Sequence, residues 1–258
     1  MSLADSNLLY REPQLYDDMF AGDPSRAELI LQLTSTYGPA NPATLLDLGC
    51  GTGRDLADLA HIAAQLTTIG IDLQPAMIDH GRRTRPHLDL RVDDLRTVRL
   101  GTTFDVLTCL GNTLAYLHTE LELDAAFATF TAHAHPETLL VIQTLIGAPN
   151  TGPPRTTTVN ALGSTADVTT YTDYDPHTGI ATTHRTWTFT NGHETTDHIR
   201  RRTLTHEELH IRLHRAGFQL HIISDNPVNP ELTATAPTTY AIATAHPIRA
   251  GDCAGTGG

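Results

Sequence analysis

The sequence predicts an α/β protein, a largely parallel sheet carrying an antiparallel insertion, and three observations lead there. A buried strand runs into a glycine turn at residues 45–53, LLDLGCGTG. Strand-like apolar runs alternate with helical periodicity as far as residue 144. Residues 147–202 then change to a Thr-, Pro-, Gly- and His-rich stretch with period-2 alternation.

Along the chain, Leu29, Ile30 and Leu33 give residues 26–33 an amphipathic helical face, preceded by a segment carrying Tyr10, Tyr16 and Phe20 and a Gly-Asp-Pro break at 22–24. The leucines around Asp47 suit a buried strand. Gly49, Gly51 and Gly53 then demand a tight turn whose backbone lies open to a ligand. Leu56, Leu59, Ala60 and Ala63 place a helix directly after that turn, its free amides facing the same ligand. TTIGID at 67–72 is a second strand ending in Asp72, and Pro75 opens a helix through Met77, Ile78 and Gly81. Residues 88–92 form a third strand closed by Asp93 and Asp94, and 104–110 a fourth running into CLGNTLAYL.

Thr119 and Glu122 make a capping box for a helix through Phe130, followed by a fifth strand at 139–144 that ends near Gln143. In the insertion, residues 168–174, 180–190 and 193–202 alternate as three strands, with a turn at 175–179 and a hairpin signal at Asn191-Gly192. Thr205 and Glu208 cap a last helix, and strands at 219–224 and 239–244 close the fold. The expected division is a helical flap at 1–36, a cofactor-binding core at 37–146 and 203–248, an antiparallel β lid at 147–202, and a disordered tail at 249–258.

The glycine turn has the form D-x-G-x-G-x-G. A dinucleotide site would space its glycines G-x-G-x-x-G to seat a pyrophosphate, whereas an acid before the glycines better suits a cationic ligand. This pattern closely resembles the first motif of class I S-adenosylmethionine-dependent methyltransferases, and CLGNTLAYL resembles the matching stretch of glycine and amino-sugar N-methyltransferases. The resemblance implies a Rossmann-like seven-stranded methyltransferase sheet with the inserted β lid, and S-adenosylmethionine as cofactor.

It also implies roles for residues. Asp47, Gly49, Gly51 and Gly53 belong to the cofactor loop, Asp72 to the ribose diol, and Asp94 with the Leu95 amide to the adenine. Leu73, Met77 and Leu110 supply apolar contacts, although Met77 serves equally as core filler. Tyr16 and Arg26 come from a segment that closes over the cofactor in similar enzymes, Arg26 facing the cofactor carboxylate. On the acceptor side Tyr10, Tyr16, Asn112 and Tyr116 are the candidate catalytic group, with Asn112 either orienting an amine or hydroxyl or simply capping. Gln143, Tyr171, His184 and Arg185 are candidate substrate contacts, with Tyr174 and Trp187 on the same strands. None of the 15 His residues falls in a pattern that marks a general base.

The formal charge of −12 disfavours a nucleic-acid partner, with Arg200, Arg201 and Arg202 the one basic run. Three cysteines without paired spacing suit neither a zinc site nor a disulfide framework, so no metal is expected. No apolar run approaches the roughly 20 residues that span a bilayer, and the N-terminal stretch lacks a signal pattern, so a cytoplasmic location is expected. The expected partner is a small-molecule acceptor, with room for a homo-oligomer. The leading reading is methyl transfer to an amine of a natural-product intermediate. O- or C-methylation, a non-catalytic cofactor-binding module and, more distantly, a nicotinamide dehydrogenase share some of the same features.

Overall fold

A computed structural model describes residues 6–21, 25–228 and 238–246. The tail expected at 249–258 and the break at 22–24 lie outside them. Strands numbered along the chain form two sheets. The main sheet contains β1 (Thr44–Leu48), β2 (Thr67–Asp72), β3 (Asp89–Val92), β4 (Phe104–Cys109), β5 (Ala134–Leu145), β10 (Phe218–Ser224) and β11 (Thr238–Ala245). The second contains β6 (Arg155–Ala161), β7 (Ser164–Asp175), β8 (Ile180–Phe189) and β9 (Glu194–Arg202).

The main sheet runs β10-β11-β5-β4-β1-β2-β3. β3, β2, β1, β4 and β5 are parallel, while β11 is antiparallel to both β5 and β10. The chain moves outward from β1 to β3 and returns to β4 on the other side of β1. Loops leaving β1 and β4 therefore diverge, and their divergence opens a crevice at the carboxyl ends of the strands.

Both faces of the middle of this sheet are covered, which is why its central strands β1, β4 and β5 carry continuous apolar runs. Leu45 and Leu46 show the consequence of the two-residue strand period. Leu45 packs with Ile30 and Leu33 of α3 (Ser25–Tyr37), Leu56 and Leu59 of α4 (Arg54–Ile62) and Ile78 of α5 (Pro75–Thr84). Leu46 faces the opposite layer, with Leu123, Phe127 and Phe130 of α6 (Glu120–Ala132) and Leu209 and Leu213 of α7 (His206–Arg215). Both expected capping boxes form: the Thr119 and Thr205 hydroxyls accept from the Glu122 and Glu208 amides, and each glutamate reaches back to the cap amide.

Two details differ from expectation. The second sheet is a four-stranded meander rather than three strands, because β6 is a Thr-rich edge strand, mostly exposed and without apolar alternation. Its hairpin to β7 turns on Leu162 (φ 50°) and Gly163 (φ 78°), and a leucine in the left-handed region disguises a two-residue turn. β5 also starts at Ala134 instead of Leu139. Pro136, Glu137 and Thr138 form an irregularity inside the strand where its register against β4 shifts and Glu137 takes φ 78°. Thr138 holds that irregularity by donating to the Phe104 carbonyl at 2.7 Å.

Two short helices, α1 (Leu8–Arg11) and α2 (Pro13–Met19), precede α3. Their Leu8, Leu9 and Leu15 form a third apolar cluster with Ala161, Ala166, Val168 and Trp187 of the second sheet. No described helix is long and apolar enough to cross a membrane.

The glycine loop is packed from below by α5, where a Cβ on Gly81 would stand 2.4 Å from the Thr52 carbonyl oxygen and 2.6 Å from Leu90. Replacing a helical Gly by Ala ordinarily gains up to about 1 kcal/mol, whereas forcing extra volume into a packed site costs about 1–3 kcal/mol. The colliding atom here is backbone, so the cost wins. Gly81→Ala is expected to destabilise the fold by roughly 1 kcal/mol, read as a lowered urea midpoint with an unchanged slope.

Candidate active site

The loop after β1 is fixed by its own backbone. Gly49 and Cys50 amides both donate to the Ile71 carbonyl, at 2.7 and 3.0 Å, and Gly53 donates back to Cys50 at 2.9 Å. Gly49 has φ 95°, and a Cβ there would stand 2.3 Å from Thr113, so the position admits only glycine. Gly51 donates to Asp72 Oδ2 and Gln74 to Asp72 Oδ1, each at 2.8 Å. Burial pushes the Asp72 carboxyl above its usual range, and the two backbone bonds oppose that shift by favouring the charged form.

A cavity of about 440 Å³ opens beside this loop, within the usual size of a small-ligand site. Its floor is Gly49, Ile71, Asp72, Leu73 and Gln74, and one wall is Asp93, Asp94, Leu95 and Arg96. Ser6, Asn7 and Tyr10 roof it from the N-terminal segment; Thr113, Tyr116, Leu117 and His118 follow from the loop after β4. The edge strand β9 adds His198, Ile199 and Arg200. Of the expected site residues, the structure thus brings Gly49, Asp72, Leu73, Asp94, Leu95, Tyr10 and Tyr116 to one cavity.

Their surroundings differ. Leu73 is half-exposed, an apolar face offered to a ligand. Arg96 bonds both Asp94 oxygens and Glu122, and its hydrogen bonds hold Asp94 below the usual carboxylate range. Tyr10 and Tyr116 rings meet at 5.8 Å, and burial, with Tyr116 beside it, pushes the Tyr10 phenol well above its ordinary pKa. Tyr10 is therefore a neutral hydrogen-bonding group across the physiological range.

The other expected residues lie around the cavity rather than on its wall. Gly51 and Gly53 shape the loop, and Met77 is buried with its methyl under Gly51. The Tyr16 hydroxyl also lies close to Gly51; burial, with Asp55 adding to it, pushes this phenol up to about 12. Arg26 pairs with Asp55 at 2.7 Å. Leu110 is core. Asn112 takes φ 61°, and its buried Oδ1 has no hydrogen-bond partner. Gln143 has both ends engaged, accepting from the Gly111 amide at 2.8 Å and donating to Tyr240 at 3.0 Å. Tyr171 stacks on His184 at 4.6 Å on an outer part of the second sheet. Arg185 is buried beneath the N-terminal segment, bonded to Asp197 and Asn7.

Asp47 lies in the sheet below the loop, accepting from Thr108 at 2.7 Å. Among the described residues, no group of three or more His, Cys, Asp or Glu is arranged to hold a metal ion.

Sequence reasoning passed over Asn7, Thr113, His198 and Arg200 as wall residues. Asn7 carried a signal, an Asx residue directly before a helix, and its side chain does accept from Leu9 at 3.1 Å. His198 and Arg200 share one face of an alternating strand, but nothing local says that β9 is the edge beside the cavity.

Comparison with known proteins agrees with this geometry. Residues 45–137 match a methyltransferase domain family. A dTDP-3-amino-3,6-dideoxy-α-D-glucopyranose N,N-dimethyltransferase of Streptomyces fradiae is 36% identical over 102 residues, 39% of each chain. A dTDP-4-amino-2,3,4,6-tetradeoxy-D-glucose N,N-dimethyltransferase of Saccharopolyspora spinosa is 34% identical over 115 residues, 44% of this chain and 45% of that one. The chain therefore matches less than half the length of these curated relatives. Among solved structures, an S-adenosylmethionine-bound amino pentose methyltransferase of Micromonospora echinaspora, involved in calicheamicin biosynthesis, superposes with a TM-score of 0.74. It is 24% identical, covering 90% of this chain and 95% of that one.

The fold is accordingly a Rossmann-like methyltransferase sheet with an antiparallel insertion. Floor and acidic wall fall inside the matched methyltransferase domain, whereas Ser6, Asn7, Tyr10, His198, Ile199 and Arg200 fall outside it.

Burial pushes the Asp47 carboxyl up to about 7, although the Thr108 hydroxyl favours its charged form. A carboxyl whose folded pKa exceeds its unfolded value near 4 binds its proton more tightly in the fold, so its contribution to stability declines as pH rises from about 4 to about 7. Asp47→Asn is expected to remove that decline. Thermal melts should place the variant progressively above the wild type between about pH 4 and about pH 8.

Proposed function

We infer that this chain is an S-adenosylmethionine-dependent N-methyltransferase whose acceptor is the amine of a small, nucleotide-linked amino sugar. The observation that carries the reading is one cavity, floored by the glycine loop and Asp72 and roofed by Tyr10 and Tyr116. The residues fit the cofactor: Asp72 retains acceptor capacity for a diol beyond its two amide bonds, Leu73 offers an apolar face, and Asp94 and Leu95 present an acid and an amide to a purine edge. The curated relatives, named as dTDP-amino-sugar N,N-dimethyltransferases, support the acceptor class.

Held by Asp72, Leu73, Asp94 and Leu95, S-adenosylmethionine would supply an electrophilic methyl group to the amine lone pair, its sulfonium becoming a thioether and the amine's surplus proton passing to solvent. The chain's contribution is chiefly placement. The oxygen of the neutral Tyr10 phenol, beside Tyr116, can accept from an amine N–H and so orient the amine with its lone pair free. Arg200 supports the nucleotide link, for among the described residues at the cavity wall it is a cation with no ion-pair partner, whereas Arg96 is held by Asp94 and Glu122. A diphosphate would supply the missing anion.

Incubation with S-adenosylmethionine and a panel of dTDP-amino sugars should add one or two methyl groups on nitrogen by mass spectrometry. Methylation confined to oxygen or carbon would overturn the amine reading. Asp72→Ala removes a charged hydrogen-bond acceptor worth about 1.5–3 kcal/mol, so calorimetry is expected to show cofactor affinity reduced by roughly 10–100-fold. Arg200→Ala is expected to raise KM for the dTDP-sugar by roughly tenfold with cofactor affinity unchanged, and to flatten the salt dependence of KM.

A further inference from the structure

Beneath the roof lies a buried polar cluster that links the N-terminal segment to the second sheet. Arg185 of β8 and Asp197 of β9 stand opposite one another, the Asp197 side chain almost completely buried. The guanidinium grips both carboxylate oxygens, Nε donating to Oδ1 at 2.8 Å and Nη2 to Oδ2, with the guanidinium carbon 5.1 Å above the Trp187 ring. The Trp187 indole N–H adds a bond to Oδ1 at 3.1 Å. From the N-terminal segment, the Leu8 amide donates to Asp197 at 2.6 Å, and Asn7 Oδ1 accepts from Arg185 at 2.7 Å and from the Leu9 amide.

Two donors on Oδ1 fix which way the Asn7 amide points. Its NH₂ must then face the cavity, where it lies 3.4 Å from the Tyr116 hydroxyl, beside Tyr10. Leu8, Leu9, Leu15 and Trp187 already bind the segment to the sheet by apolar contact, and a buried ion pair adds little net stability over an apolar pair of similar volume. What the polar cluster adds is direction.

We propose that Arg185 and Asp197 are positioning residues for methyl transfer, acting through Asn7 to set Tyr116 and Tyr10 over the cavity. This rests on the cavity being the methyl-transfer site. Neither charge reaches the cavity; each determines where Asn7 stands, and Asn7 determines where the tyrosines stand.

The lone tryptophan of the chain, Trp187, belongs to the cluster and serves as its reporter. The test uses the full chain and its Asn7→Ala, Asn7→Asp and Arg185→Lys variants, the Asn7 variants leaving the buried ion pair intact should others fold poorly. Each is followed by thermal melting, calorimetry with S-adenosylhomocysteine, Trp187 emission during the same titration, and kcat and KM with dTDP-3-amino-3,6-dideoxy-α-D-glucopyranose. Asn7→Ala is expected to fold and to bind S-adenosylhomocysteine within about threefold of wild type, with kcat lowered roughly tenfold. Emission should shift on binding in the wild type and lose that response in Asn7→Ala. Asn7→Asp, which keeps the oxygen for Arg185, should restore the emission response but not kcat.

Wild-type emission that ignores bound S-adenosylhomocysteine, or an Asn7→Ala kcat within about twofold of wild type, overturns the proposal. Failure of the wild type to bind S-adenosylhomocysteine overturns the cofactor reading and this proposal together. If it binds but leaves the sugar unmethylated, the acceptor reading falls and the emission response decides the positioning role.

Discussion

Asp72 closes β2 with a carboxylate that two backbone amides already claim, Gly51 on one oxygen and Gln74 on the other. Gly51 belongs to the loop that leaves β1, and Gln74 precedes α5, so one side chain ties a turn and a helix start to the end of a third element. The loop cannot drift outward without taking the Gly51 amide from a partly buried carboxylate, and a hydrogen bond to a charged group is worth more than a neutral one. Packing completes the restraint, with the Met77 methyl beneath Gly51 and the Gly81 backbone against Thr52. The cavity floor is therefore rigid for local reasons, and everything above it is placed relative to that floor.

The roof is fastened at three points, each using a different chemistry. Asp17 accepts from Thr52 at 2.5 Å and Arg85 at 2.8 Å and lies 3.1 Å from His80, so α2 is tied to the glycine loop and α5. Asp18 accepts the Leu162 amide at 2.6 Å, securing the β6–β7 hairpin whose turn carries a strained leucine. Asn7 and Leu8 engage the Arg185–Asp197 pair. One short segment thereby couples both sheets, and the second sheet is in turn capped at its β9 edge, where His118 Nε2 lies 3.0 Å from the Arg200 carbonyl oxygen.

How much of this was legible in the chain depended on the range of the interaction that fixed each part. Strands β1 and β4 announced themselves because burial on both faces leaves an uninterrupted apolar run, and both capping boxes because their chemistry is complete within four residues. Leu73, Asp94 and Leu95 were singled out by strand ends read together with the family resemblance, and all three line the cavity. Arg185 was not so legible: its place in the insertion suggested a substrate contact, but its partners are 12 and 178 residues away and lie under the roof. Gln143 likewise finds Gly111 and Tyr240 only in three dimensions. β6 was missed because an exposed Thr-rich edge strand has no apolar face to betray it.

The boundary of the matched domain also divides the cavity wall. Under the proposed function, the cofactor floor belongs to one contiguous stretch, while part of the wall left for an acceptor comes from two separate pieces, residues 6–10 and 198–200. Neither piece takes part in the hydrogen bonds that hold the glycine loop and Asp72. The two functions assigned to this cavity are therefore separable along the chain, and substitutions can address one wall while leaving the hydrogen bonds of the other in place.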